Sequence, residues 1–315
     1  MANLYLTHKC NRACPFCFAR KVLTESGGNI DEILTIEEVK TLINHFPNQF
    51  REFGILGGEP FLYPYLSELL ELLWQNNIMT KIFTSATNSI PDSIRNLDIT
   101  KHPLNFVVNV NTSDSYTTEK YKNLIDFFTK FHSVSSLSYT ILDFDADPTF
   151  LFDIIDRFHL LTRSIRVGVA LPIYKGGNQY IDKKDYKKLG MFMVKFARMS
   201  HERCVVLGMD CGFTACMFTT KEIGALQRLG VRLSFMCGAA VDIGPGLKAW
   251  NCFPLFQLHR ENVLESKNLN ELVQKFDANM NEHFNNQIGI FPECIDCKHF
   301  KRQTCQGGCK SFKSI

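Results

Sequence analysis

The chain has 315 residues, 45% apolar and 21% charged, with a formal net charge of +3. That length permits one large α/β unit or a large unit with a smaller appendage, and the composition excludes disordered and collagen-like chains. The charge is too weak and too scattered for a nucleic-acid footprint, and no window approaches the ~18 consecutive apolar residues of a membrane span, so neither nucleic acid nor membrane is expected as a partner.

Short runs rich in β-branched and aromatic residues predict strands at Asn3–Thr7, Glu52–Leu56, Met79–Thr84, Phe106–Asn111, Leu137–Leu142 and Ile165–Leu171. Amphipathic recurrence predicts helices between them: Ile36–His45 after a Thr35 cap with Glu38 three residues on, then Tyr65–Gln75, Tyr116–Phe131 and Thr149–His159. Such alternation predicts a parallel sheet of βα units. A lysine-bearing helix, Lys184–Ala197, and a strand at Val205–Met209 follow, after which cysteines, glycines and short loops dominate. A boundary near residue 200 divides the chain into units 1–200 and 201–315. The tail from Met236 onward shows no convincing apolar core, so metal is expected to hold it together.

The N-terminus lacks the basic stretch, apolar run and cleavage site of a secretory signal, which predicts a cytoplasmic protein. In that reducing compartment the twelve cysteines point to metal sites, redox chemistry or core packing rather than to disulfides.

Cys10, Cys14 and Cys17 form Cys-x3-Cys-x2-Cys in the loop leaving the first strand. Three thiolates this close can wrap a compact metal centre at the carboxyl end of a parallel strand, where barrel folds place chemistry. A zinc knot completed by His8 is the competing reading. Gly57-Gly58-Glu59-Pro60 follows the second strand. Its glycines let backbone approach a ligand, Glu59 supplies an acceptor for an ammonium, and Pro60 fixes the exit of the turn.

The remaining cysteines are Cys204, Cys211, Cys216, Cys237, Cys252, Cys294, Cys297, Cys305 and Cys309, the last four spaced Cys-x2-Cys-x7-Cys-x3-Cys. Such density is a metal signal, although zinc and iron-sulfur clusters both accept four thiolates. Cys211 and Cys216 are open to two readings: further ligands, or thiol chemistry in which Cys216 donates a hydrogen atom and Asp210 takes a proton.

The first two motifs and their placement resemble the radical S-adenosylmethionine (SAM) superfamily over roughly the first two hundred residues. The resemblance implies a partial (β/α)6 TIM-like barrel in which Cys10, Cys14 and Cys17 hold a four-iron four-sulfur (4Fe-4S) cluster. The fourth iron of that cluster takes the amino and carboxylate groups of SAM. It places Phe16 by the adenine and Gly57, Gly58, Glu59 and Pro60 at the methionine amino group. Thr84-Ser85-Ala86 stands where the family often has Thr-Asn-Gly, and Asn109 and Asn111 stand where a serine and an aspartate commonly face ribose and carboxylate. Ser85, Asn109 and Asn111 are therefore expected at SAM as departures from the family pattern.

Cys237, Gly246, Cys252 and the final cysteine run resemble the SPASM or twitch extension, a small cysteine-rich domain with one or two auxiliary 4Fe-4S clusters. By that resemblance Cys237, Cys252 and Cys309 serve one cluster and Cys294, Cys297 and Cys305 the other. Cys211 and Cys216 are available as fourth ligands. Gly246 precedes Cys252 by one residue more than usual, x7 replaces the commoner x5, and no cysteine follows Cys309.

The implied activity is reductive cleavage of SAM to a 5'-deoxyadenosyl radical that takes hydrogen from a substrate. The leading substrate is a ribosomally made peptide, modified by crosslinking, epimerisation or oxidation. Flavodoxin or ferredoxin is the implied electron donor. Because the first strand opens the chain, either a separate leader-peptide-binding protein or leader-independent recognition is expected. The alternatives are a small-molecule or cofactor-biosynthesis reaction and, from another class, a zinc-stapled binding module.

Overall fold

A computed structural model describes residues 2–19, 32–111, 116–238, 240–284 and 288–313. Its centre is one open ten-stranded sheet. Strands β1 (Ala2–Tyr5), β2 (Glu52–Leu56), β3 (Met79–Thr84), β4 (Leu104–Asn109), β5 (Ser135–Ile141), β6 (Ser164–Val169) and β7 (Val206–Met209) run side by side, all parallel. On the far side of β1 lies β8 (Val241–Gly244), also parallel, followed by the antiparallel strands β9 (Lys248–Trp250) and β10 (Glu261–Asn262). An open, mostly parallel sheet with helical crossovers is the partial barrel the sequence predicts.

Helices α1 (Ile36–His45), α2 (Leu66–Gln75), α3 (Thr118–Phe131), α4 (Thr149–Arg157) and α5 (Tyr186–Glu202) bury their apolar stripes against one face of the sheet. That face supplies Leu4, Ile55, Ile82, Phe106, Leu137 and Ile165, none of them exposed. Phe106 of β4 meets Phe127 of α3 edge to face, centroids 5.0 Å apart. Such geometry adds about 0.5–1.5 kcal/mol to the burial of the rings. The predicted Thr35/Glu38 capping box opens α1, with Thr35 Oγ1 accepting from the Glu38 backbone N–H and Glu38 Oε2 accepting from that of Thr35.

The opposite face is mixed, with Tyr5, Leu56, Phe83 and Val107 among polar and small residues. Register sets Asn109, Ser138, Arg166 and Gly208 in one row across β4 to β7. Asn109 and Arg166 are exposed on it. Strand alternation makes this division: residues two apart share a face.

The tail departs from expectation. Residues beyond Met236 do have an apolar core to join: Val241, Ile243, Ala249 and Val263 belong to the same core as Leu4 and Ile55. So do Leu272 and Phe276 of α7 (Leu269–His283), which follows α6 (Thr220–Arg228) in chain order. The tail looked coreless because its apolar residues complete a core built by the first half. Residue 200 lies in the last turns of α5, and strands from either side of it share the sheet. Among the described residues no helix is long and apolar enough to cross a membrane.

Candidate functional site

The loop leaving β1 carries Cys10, Cys14 and Cys17, and two neighbouring strand ends fasten it. Gly58 N donates to Thr7 O at 2.7 Å and Glu59 N to Lys9 O at 2.8 Å. A Cβ at Gly58 would stand 2.2 Å from the Lys9 carbonyl oxygen and 2.8 Å from Cys10 Cβ, so only glycine lets this turn close on the cysteine loop. Farther along, Gln179 N donates to Pro15 O at 2.9 Å and Asn178 Nδ2 to Phe16 O at 3.4 Å. The half-buried Phe16 thus belongs to a segment clamped by the loop that follows β6.

Glu59 is 1% exposed, and its carboxylate accepts four hydrogen bonds from its own chain. Thr84 Oγ1 donates to Oε1 at 2.6 Å and Phe61 N at 3.3 Å, while Ser85 Oγ and Ser85 N donate to Oε2 at 2.7 and 3.0 Å. A buried carboxylate is tolerable only with this degree of satisfaction. Ser85 Oγ also meets Thr87 Oγ1 at 2.8 Å, and Thr87 Oγ1 accepts from Asn11 Nδ2 at 3.1 Å. Asn11 lies inside the cysteine motif, so one chain of hydrogen bonds links the Gly-Gly-Glu turn, the end of β3 and the cysteine loop. Thr87 and Asn11 escaped sequence reasoning; their position beside named motif residues was the available signal. Asn11 Oδ1 is buried with no partner.

Asn109 ends β4 on the mixed face, and Asn111 N donates to Tyr116 Oη at 3.2 Å, with the Arg12 guanidinium 5.3 Å from the centre of the Tyr116 ring. Asp210 accepts from Arg166 Nη2 at 2.8 Å, and Arg166 in turn lies 5.4 Å from the centre of the Phe83 ring. His8, the candidate fourth zinc ligand, is engaged elsewhere: Nδ1 lies 3.4 Å from Tyr5 Oη and Nε2 lies 3.7 Å from Glu32.

The remaining cysteines, Cys204 apart, gather in two groups. Cys211 shares a hydrogen bond with Cys237, which together with burial, Asp210 and Cys252 pushes its thiol far up. Burial, reinforced by Cys309 and Cys237, does the same to Cys252, and burial raises Cys309, which also senses Cys237. In the second group, burial raises Cys216, with Cys305 and Cys294 adding to it, and Cys297 N donates to Cys294 O at 3.2 Å. Cys216, expected as ligand or as hydrogen donor, thus stands with the Cys294 set, and Cys211 with the Cys237 set. A Cβ at Gly289 would lie 2.3 Å from Cys294 Sγ, so the second group folds around a glycine.

These donor sets fit a polynuclear core. Thiols crowded together repel as thiolates, which is why their neutral forms are favoured; a cationic core inverts that preference and deprotonates them. Among the described residues no three Cys, His, Asp or Glu side chains converge tightly enough for a single ion.

Residues 4–134 match the family model described as the radical SAM superfamily. A curated relative, the S-adenosylmethionine-dependent nucleotide dehydratase of Flammeovirga pacifica, is 32% identical over 94 residues, 29% of this chain and 31% of that protein. The match therefore spans about a third of that relative's length. Among solved structures, Streptococcus suis SuiB bound to its precursor peptide SuiA superposes with a TM-score of 0.70 at 16% identity, covering 98% of this chain and 71% of SuiB. SuiB bound to S-adenosylmethionine gives 0.69 at 17% identity, covering 98% and 72%. At such identities the likeness is one of fold. Family model and motif placement agree over the same stretch: residues 4–134 match the radical SAM superfamily, and the cysteine loop and the Gly-Gly-Glu turn both lie within them.

Proposed function

We propose that the chain is an enzyme that reductively cleaves SAM and modifies a ribosomally made peptide. One observation carries the first half: the cysteine loop, the Gly57-Gly58-Glu59 turn and the end of β3 form a single hydrogen-bonded unit at the carboxyl edge of parallel strands. That edge is where such folds bind ligands. Cys10, Cys14 and Cys17 would hold a 4Fe-4S cluster, with Phe16, Gly57–Pro60, Ser85, Asn109 and Asn111 around SAM. When bound, the cluster supplies the electron that splits SAM into methionine and the 5'-deoxyadenosyl radical that takes hydrogen from substrate. The protein's part is to orient and to exclude water. Because the four bonds to Glu59 come from within the chain, this residue acts by fixing Thr84 and Ser85, and the ammonium of SAM is left to the backbone of the turn it opens.

The unit 201–315 would carry two auxiliary clusters, one on Cys211, Cys237, Cys252 and Cys309 and one on Cys216, Cys294, Cys297 and Cys305. Cys216 is then a ligand rather than a hydrogen donor, and Asp210, beside the Arg166 row, is the candidate proton acceptor. A peptide substrate is supported by the fold shared with SuiB, which binds a precursor peptide. A small-molecule substrate is the second reading, drawing on the nucleotide dehydratase relative. A flavodoxin or ferredoxin donor and a cytoplasmic location suit thiolate clusters, which need a reducing compartment.

The test is anaerobic. Replacing Cys10, Cys14 and Cys17 together by Ala is expected to abolish dithionite-dependent SAM cleavage while the C-terminal iron remains. Unchanged cleavage overturns the assignment.

A further inference from the structure

Tyr186 opens α5 and is 4% exposed, yet its hydroxyl has no hydrogen-bond partner. An unpaired buried hydroxyl costs about 1–3 kcal/mol, so its retention asks for a partner. The ring is fixed by two edge-to-face contacts, with Phe291 at 5.8 Å and Phe312 at 6.1 Å between centroids. Lys187, the next residue, donates from Nζ to Cys216 O at 2.7 Å, and Phe291 and Phe312, which hold the ring, lie three residues from Cys294 and Cys309. The side chain therefore sits where the two cysteine groups meet, rigidly held, with a donor unused. Burial above all, with Cys309, Cys216, Asp182 and Cys305 adding to it, keeps the phenol protonated, which is the form that donates.

We propose that Tyr186 is a positioning and tuning residue of the auxiliary iron-sulfur centres, its hydroxyl donating a hydrogen bond to a sulfur of one of the two clusters it lies between. The inference rests on the reading of the C-terminal cysteines as cluster ligands and adds a residue that no cysteine spacing discloses. A donor aimed at cluster sulfur stabilises the reduced, more negative state, so it raises the reduction potential of that cluster. Tyr186 then makes the two centres unequal, giving electrons leaving substrate a preferred first acceptor.

The full-length protein carrying Ala at Cys10, Cys14 and Cys17 isolates the auxiliary signals and serves as the parent. Tyr186→Phe in that background preserves ring packing and removes only the hydroxyl. The expected result is equal iron content, a shift of one midpoint potential to a more negative value in an EPR-monitored titration, and loss of an exchangeable proton coupling that deuterium oxide removes from the parent. Superimposable potentials, or no such coupling in the parent, overturn the proposal. If Tyr186→Phe fails to hold iron, fluorotyrosine-labelled parent decides, since its more acidic phenol is a stronger donor: a less negative potential supports the bond, and an unmoved one refutes it. A parent without any auxiliary cluster would bring down the underlying reading together with this one, whereas clusters with unmoved potentials sink this inference alone.

Discussion

The two cysteine regions are assembled in opposite ways. Cys10, Cys14 and Cys17 come from one loop, and the loop is shaped from outside by Gly58, Glu59 and the Asn11–Thr87–Ser85 bonds. The C-terminal thiols come from segments spread between Cys211 and Cys309, brought together by strands and helices that share the main core. One site is local in sequence and borrowed in support; the other is dispersed in sequence and integral to packing. A local site is vulnerable to whatever loosens its supports, a dispersed one to loss of a ligand.

The largest effect is expected at the dispersed groups. Cys216→Ala should remove the iron of the Cys294 group and leave that of the Cys237 group, while Cys211→Ala should do the reverse, read as iron per chain and as loss of one EPR signal. Equal losses from both variants would show that the two groups are not separate centres.

Gly58→Ala comes next and attacks the local site through its support. The added methyl collides with the Lys9 backbone, and relieving such overpacking costs about 1–3 kcal/mol. We expect a corresponding fall in melting temperature, loss of SAM cleavage and retention of the auxiliary iron. Wild-type cleavage would mean that the turn does not hold the loop in place.

The contrast between the regions also decides how legible each was. Spacing drew out the first region because its three cysteines are neighbours in sequence; the Gly-Gly-Glu-Pro turn was legible for the same reason. The strands β2 and β3 match expectation residue for residue, since alternation and β-branching are local properties. Pairing Cys211 with Cys237 and Cys216 with Cys294 was beyond spacing, because β7 and β8 stand at different places in the sheet. Helix α7 was readable and overlooked: Asn268 caps it and Leu269, Leu272, Val273 and Phe276 recur at helical intervals. Tyr186 was not readable, since nothing in a local pattern marks a hydroxyl as unpaired.

A smaller effect is expected from Glu59→Gln. The amide replaces one acceptor by a donor facing hydroxyl and backbone donors, and the mismatch loosens Thr84 and Ser85. A weakening of SAM affinity by about tenfold, ~1.4 kcal/mol, is expected in anaerobic titration. If Glu59 instead bound the ammonium itself, the loss would greatly exceed that, and Thr84→Ala, which removes a supporting bond without touching the carboxylate, would leave affinity unchanged.

The seam between the regions offers the last test. Asp242 of β8 lies opposite Asn3 of β1, 4% exposed, and Asn3 Nδ2 donates to it at 2.7 Å. Burial pushes its carboxyl up to about 7, and Asn3 Oδ1 has no partner. A protonated carboxyl would donate to that oxygen and complete a reciprocal pair. The folded chain therefore binds the proton more tightly than the unfolded one, whose carboxyl titrates near 3.8. Stability from this group is full below that value, falls as pH rises towards 7, and is flat above. The full swing is on the order of 4 kcal/mol, about three pH units of differential protonation. Asn at position 242 supplies the donor at every pH, so Asp242→Asn is expected to flatten the melting profile between about pH 4 and 7 and to raise the melting temperature at pH 8. Parallel profiles for the two proteins would show that β8 joins β1 with an ionised carboxylate, and that the seam gains its stability from the apolar residues flanking it.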